Sequence, residues 1–383
     1  MTNSENTNLS GIYIHVPFCQ SRCIYCDFYS TVYGEDFKDR YVERLLKEMA
    51  DRKNEVDSQV DTIYVGGGTP SCLHTGRIEK MMNHLIQNFS LADNPEITLE
   101  ANPDDVTPSF VKQLVDIGIN RVSLGVQTFD DECLRFIRRR HSSRQAVKAV
   151  HSLVENGIDN VSIDLIFGFP NESVESWEKD LKQAVSLPVK HLSAYSLMFE
   201  EGTLLTHMRD GGQIDEIDED LSLRMYDVLL DMTEKKGMEH YEISNFSYPG
   251  FRSHHNSKYW MGALYVGFGP GAHSFNGVNV RRSNNSDLKS YIQSSDEVPH
   301  EIEMLGVDEL CDEFVFTSLR TKEGLDTRLL LSKFGVERFN KIIVAAEAHV
   351  KSGLLKEAGG HLSFTHKGFF LSDLVMSDMM IVE

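Results

Sequence analysis

No stretch of this sequence is apolar for long enough to span a bilayer, and the polar opening MTNSENTNLS lacks the apolar core of a secretion signal. A helical membrane protein and an exported one are thereby set aside, and a cytoplasmic protein is expected. Basic residues are also short. Against 58 Asp and Glu stand 38 Lys and Arg, a net charge of −20. A surface of that sign repels phosphate, so no nucleic-acid partner is expected and membrane contact is at most peripheral. Nor is there a disulfide framework. Of six cysteines, three crowd together, while Cys72, Cys133 and Cys311 lie far apart and read as packed thiols, a pattern suited to a reducing compartment. The remaining composition is ordinary, with 41% hydrophobic and 25% charged residues over 383 positions. That length buries a large core and suits two or more domains.

What stands out is GIYIHVPFCQSRCIYCDFYS, where Cys19, Cys23 and Cys26 follow an alternating apolar run as C-x3-C-x2-C. Three thiolates on one tight loop do not complete a tetrahedral zinc site, and no fourth Cys or His follows at finger-like spacing. They suit three corners of a [4Fe–4S] cube and leave its fourth iron open to a chelating amine and carboxylate. Short β-branched runs at 12–17, 62–67, 97–102, 121–126, 161–168 and 191–199 alternate with amphipathic stretches at 41–52, 77–89, 108–118, 143–157 and 174–188. Thr107 and Ser173 can cap two of these helices. The expected fold class is α/β, an open, partial (β/α)6 barrel of the TIM type over residues 1–240.

Chemistry in such barrels sits at the C-terminal strand ends. Here the first end carries the cysteines and the second reads GGGTPS (66–71), whose Gly67, Gly68 and Thr69 let backbone approach a ligand. The third offers Glu100, the fourth Gln127 and the fifth Asp164, with Arg139 in the helical stretch after strand four. Each alone also reads as a solvated or capping group. Together they ring one mouth.

YIHVPFC-x3-C-x2-C, GGGTPS, GVQTF and DLIFGFP resemble the radical S-adenosylmethionine enzymes. The resemblance lies in the branch of oxygen-independent coproporphyrinogen III dehydrogenases and HemW-type heme chaperones, over residues 11–380. It implies that Cys19, Cys23 and Cys26 ligate the cluster. Gly67, Gly68 and Thr69 would receive the amino-acid head of S-adenosylmethionine and Arg139 its carboxylate. Glu100 and Gln127 would bond the ribose hydroxyls, Asp164 would lie at the same mouth, and Tyr13 and Tyr25 would line the cofactor pocket. Reductive cleavage of the sulfonium to methionine and a 5′-deoxyadenosyl radical is the chemistry so implied.

Two departures divide the branch. The dehydrogenases carry a fourth cysteine two residues after the third, where this chain has Phe28, and a longer N-terminal segment than the one here. HNSKYW (255–260), after EISNF (242–246), resembles the H-N-x-x-Y-W of the heme chaperones. That implies heme with His255 as iron ligand and His254 as competitor; in the other reading, Asn256, Tyr259 and Trp260 fix the segment to the barrel. His15 is expected to be a packed histidine near the cluster. Residues 241–305 are expected to hold this segment, a glycine-rich turn at 265–275 and a polar connector over 280–305. Residues 306–383 resemble a winged-helix domain that covers the active site, with Lys351, Lys356 and Lys367 solvated. Arg138 and Arg140 are read as surface charges or covers for acidic partners.

The function so implied is a heme chaperone that delivers heme to acceptor hemoproteins such as respiratory enzymes, with homodimerisation. The alternative is an enzyme, oxidatively decarboxylating coproporphyrinogen III to protoporphyrinogen IX. A plain iron–sulfur or zinc structural module would leave the ring of polar strand ends unexplained.

Overall fold

The computed structural model describes residues 9–382. The readings placed on residues 1–8, the missing signal and the short leading segment, lie outside the described residues. Six parallel strands lie side by side in chain order. They are β1 (Leu9–Val16), β2 (Gln59–Gly67), β3 (Leu91–Ala101), β4 (Arg121–Gln127), β5 (Asn160–Phe167) and β6 (His191–Ser196). The crossovers carry α1 (Glu35–Asp51), α2 (Thr75–Asn88), α3 (Pro108–Ile117), the pair α4 (Asp131–Phe136) and α5 (Ser143–Glu155), and α6 (Val174–Ala184).

The local chemistry of these elements is the one read from the sequence. In α5 the buried residues Ala146, Ala149, Val150 and Leu153 recur at helical spacing, and Ser142 with Gln145 closes a capping box. Thr107 and Ser173 accept the backbone N–H bonds that start α3 and α6. Gly118, at φ +93°, ends α3 in the left-handed conformation.

Beyond β6 come α7 (Leu204–Asp210) and α8 (Glu219–Lys235), then β7 (Glu239–Glu242) and β8 (Asn245–Ser247), which add antiparallel strands at the β6 edge. After α9 (His254–Trp260) the chain returns to the opposite edge. There β9 (Tyr265–Phe268) pairs in parallel with β1, and β10 (His273–Phe275), β11 (Val280–Asn284) and β12 (His300–Met304) follow antiparallel, with α10 (Leu288–Gln293) before the last. Twelve strands thus form one sheet.

Residues 280–305, expected as a polar connector, instead carry two strands and a helix. The polar side chains are there to be buried. Glu48 of α1, 1% exposed, accepts from Arg52, Asn284, Tyr291 and the Gly269 N–H at 2.7 to 2.9 Å, so all its lone pairs are used. A buried carboxylate so satisfied ties this extension to the barrel.

The C-terminal region has its own core around Cys311, Val315, Leu319, Leu330 and Ile342. It comprises α11 (Val307–Leu319), β13 (Leu325–Asp326), α12 (Thr327–Lys351, broken at Gly335), β14 (Leu355–Ala358), β15 (His361–Phe364), α13 (His366–Phe370) and α14 (Ser372–Asp378). Helices followed by a hairpin, in a three-stranded sheet ordered β13-β15-β14, give the winged-helix-like shape expected. The Ile243 N–H bonds the Arg320 carbonyl and the Lys322 N–H the Tyr241 carbonyl, at 3.1 and 3.0 Å, and the Arg320 guanidinium lies 4.7 Å over Trp260. No helix of the described residues is long and apolar enough to cross a membrane.

Candidate cluster and cofactor site

A cavity of about 430 Å³ opens at the C-terminal ends of β1–β6. Cys19, Cys23, Tyr25, Cys26, Gly67, Gly68, Thr69, Glu100, Gln127, Arg139 and Asp164 all line it. Residues up to 145 positions apart (Cys19 to Asp164) are thereby brought to one mouth.

The three cysteines are partly exposed, free thiols on the loop after β1. Burial pushes Cys26 up to about 11, and the neighbouring Cys23 and Cys19 push the same way. A thiol held up in this way needs a cationic centre to become a thiolate. Among the described residues no three His, Cys, Asp or Glu side chains converge on a single ion; three cysteines spaced along one loop are a donor set for a cube held at its corners. The polar surroundings fit that group. Arg139 Nη1 lies 3.5 Å from Cys23 Sγ and Thr69 Oγ1 lies 3.4 Å from Cys19 Sγ, both able to donate to cluster thiolates. A Cβ on Gly68 would lie 2.7 Å from the Phe18 carbonyl oxygen and 3.1 Å from Cys19 Sγ, so only glycine lets the second loop pass this close.

Below the cluster loop the acidic groups are held in fixed positions. Glu100 accepts from Tyr64 Oη at 2.8 Å and from the Gly67 N–H at 3.1 Å, where Gly67 takes φ +112°. Burial, then the charge of Asp164, pushes Glu100 up to about 7. Asp164 accepts from Ser123 Oγ at 3.1 Å and is raised by burial. It sits mid-strand, opposite Gly125, not at the end of β5. Gln127 closes β4 at φ +69°, an uncommon conformation for a residue with a Cβ. Arg139 is anchored by the Gly125 carbonyl and Asn102, while its Nε is buried without a partner. These carboxylates can accept ribose hydroxyls, and the guanidinium can receive a carboxylate.

Sequence reasoning missed Arg121, Tyr64 and Asn102. Arg121 is 1% exposed at the cavity's inner end, with Thr98 Oγ1 at 3.5 Å as its side-chain partner, and its charge helps both buried carboxylates ionise. The signal was the alternation Arg121, Ser123, Gly125 inside an otherwise apolar run: these are the inward positions of β4.

Two expected residues lie off the cavity wall. Tyr13 sits behind it, donating to His15 Nδ1 at 3.1 Å, with its ring 6.2 Å from Tyr64. His15 in turn donates from Nε2 to the Tyr29 carbonyl at 2.9 Å, the packed role expected of it. His255 lies deeper, 1% exposed under the barrel. Its Nδ1 meets Thr62 Oγ1 at 2.9 Å and its Nε2 meets Tyr259 Oη at 3.0 Å, and the ring stacks on Tyr64. Burial, then the Lys258 and Arg121 charges, lowers it to about 3, so it is neutral. Both nitrogens are taken, which is not the arrangement of an iron ligand. His254 is exposed outside the barrel, and Asn256 is the member of the motif that reaches the cavity. Glu96 accepts both the His254 and His255 N–H groups and holds α9 in place as a floor.

Comparison with known proteins agrees with this geometry. Residues 13–184 match the Radical SAM superfamily and residues 307–371 the HemN C-terminal domain. The chain is 33% identical over 374 residues to a protein of Lactococcus lactis subsp. lactis named heme chaperone HemW, covering 97% of each. It is 32% identical over 377 residues to one of the same name in Bacillus subtilis, covering 96% of this chain and 98% of that one. Its fold superposes on coproporphyrinogen III oxidase (HemN) from Escherichia coli with a TM-score of 0.85 at 22% identity, covering 98% and 91% of the two chains. At that identity the likeness is one of fold.

Proposed function

This chain belongs to the HemW family of the radical SAM superfamily, and from that premise we propose that it is a heme chaperone. It carries a [4Fe–4S] cluster on Cys19, Cys23 and Cys26 and S-adenosylmethionine in the cavity beneath. The observation that carries the reading is the open, three-cysteine mouth on a chain related over 97% of its length to proteins of that name. When bound, the cluster and S-adenosylmethionine supply one-electron chemistry. The chain's own residues orient that cofactor through Glu100, Gln127, Asp164 and Arg139, and bury it from water.

In this reading the barrel (1–240) holds the cofactors, residues 241–305 close its floor and flank, and residues 306–383 cover the outside. The protein works in the cytoplasm, as a homodimer, and passes heme to acceptor hemoproteins. Phe28, where the dehydrogenases carry a fourth cysteine, supports the chaperone over the dehydrogenase. Heme-loaded protein should pass its heme to an apo-hemoprotein acceptor, and its gene should fail to rescue a strain lacking coproporphyrinogen dehydrogenase. Rescue, or heme that never leaves, defeats the proposal.

A further inference from the structure

The large sheet has two edges, and the fold treats them differently. The β7 edge is capped by the outer domain: the Ile243 N–H bonds the Arg320 carbonyl, the Lys322 N–H bonds the Tyr241 carbonyl, and Glu242 bridges Thr321 in the antiparallel sense. The β12 edge is bare. It ends the strand order, and among the described residues no strand lies beyond it. Glu301 to Met304 are all exposed, with Ile302 at 61% and Met304 at 75%. Pairing to β11 runs unbroken from Val280 opposite Met304 to Asn284 opposite His300, so no bulge turns the strand away.

The register also says which backbone groups are open. The Leu305 N–H donates to the Asn279 carbonyl and the Asn285 N–H to the Pro299 carbonyl, each at 2.9 Å. Alternate residues of an antiparallel strand turn to the same neighbour, so positions 299, 301, 303 and 305 face β11. The N–H and C=O groups of His300, Ile302 and Met304 therefore face outward, and no bond to them is seen among the described residues. Side chains alternate between the two faces of the strand, with Ile302 and Met304 on one and Glu301 and Glu303 on the other. Neither glutamate has a cation to itself across the ladder. Glu301 stands opposite Ser283, and Arg281, opposite Glu303, is engaged by Glu313 at 2.7 Å.

We propose that the β12 edge docks an extended, basic segment of a protein partner. That segment joins the sheet as a further strand, with Lys or Arg beside Glu301 and Glu303 and apolar side chains beside Ile302 and Met304. A second copy of this chain is the wrong occupant. Two-fold antiparallel registers that engage at least two of the three open residues are centred on Glu301, Ile302 or Glu303, and each puts glutamate directly across from glutamate. Like charges so placed repel, on a chain whose net charge is already −20. The glutamates thus guard the edge against self-pairing and leave it open to a strand of opposite charge. The proposal is independent of what the cavity carries.

The probe is a short fluorescein-labelled peptide alternating lysine and valine, titrated with the full-length protein and followed by anisotropy. Two companions separate backbone from charge: the same peptide N-methylated at every amide, which keeps its cations but donates along neither edge, and a peptide alternating glutamate and valine. The parent should bind the first saturably and each companion at least about tenfold more weakly. Ile302→Pro deletes an outward N–H that the ladder does not use, so it should weaken the lysine peptide about fivefold and leave far-UV dichroism unchanged. Glu301→Lys with Glu303→Lys should reverse the preference, so that the glutamate peptide binds better than the lysine peptide. Equal affinity for the N-methylated peptide reduces the contact to charge and overturns the docking strand. A parent that gives no saturable binding overturns it as well. So does a parent dimer that Ile302→Pro dissociates in sedimentation, because the edge then belongs to a second copy.

Discussion

The two ends of this barrel are built on opposite principles. At the cluster end, polar groups outnumber their partners: Arg139 Nε is buried and unpaired, the cysteines are free, and Arg22 and Arg138 have no ion pair among the described residues. At the floor most partners are made, although Trp260 Nε1 and Arg121 Nε are buried without one. His255 uses both ring nitrogens, Glu96 both oxygens, His191 bonds Ser162 and Tyr241, and Lys258 pairs with Asp61 at 2.6 Å. Unsatisfied groups are expensive, so they persist where a ligand completes them. A motif such as HNSKYW names residues that can bind; whether their hydrogen bonds are already made tells what they do.

The sharpest break between the ends is chemical. Replacing Cys19, Cys23 or Cys26 by Ser should remove the four irons of the reconstituted protein and with them its affinity for S-adenosylmethionine, while far-UV dichroism stays that of the parent. A variant of all three that retained four irons would refute the ligand assignment.

At the floor the expected loss is of stability. His255→Ala removes a packed ring and orphans Thr62 Oγ1 and Tyr259 Oη, so unfolding should become easier by about 3 kcal/mol. The Soret band of the heme complex should not move. A shifted band at parental stability would make His255 the iron ligand after all.

Glu100 sharpens the contrast through pH. Its carboxyl is held up to about 7 by burial, against an ordinary value of 4.5. Between these two values the unfolded chain has released the proton that the folded chain still binds. Stability therefore falls as pH rises through that window and levels off above 7, by on the order of 3 kcal/mol in all. Glu100→Gln should remove that part of the slope, measured as the difference between urea-denaturation series for the two proteins. Affinity for S-adenosylmethionine should weaken on acidification below 7 in the parent, because the protonated carboxyl offers ribose a poorer acceptor.

A control lies outside both ends. Lys351 pairs with Glu347 at 3.2 Å on an exposed helical face, and Lys351→Ala should change stability by less than about 0.5 kcal/mol and heme affinity not at all.

The strands and helices of the barrel were legible because each buries a face with its own period, as Ala146, Ala149, Val150 and Leu153 do in α5. Gly67, Glu100 and Gln127 were legible because they interrupt apolar strands at or near their ends, whereas Asp164 lies mid-strand. The extension over 280–305 was not, since Arg282 and Asn284 read as solvated and are buried by partners in α1 and the loop before β12. Arg121 hid for the converse reason, one cation at the mouth of an apolar run. His255, expected as an iron ligand, is held by Thr62 and Tyr259, and the first of these is 193 positions away, beyond the reach of any local pattern.

The stacking of Arg320 on Trp260 has a mechanical consequence. Trp260 ends the helix whose Asn256 faces the cavity, and Arg320 leaves the last turn of α11 in the outer domain, with two backbone bonds alongside. Any protein that grips the outer domain therefore holds a handle on the underside of the cofactor chamber. α9, seven residues from end to end, joins that handle to the chamber wall.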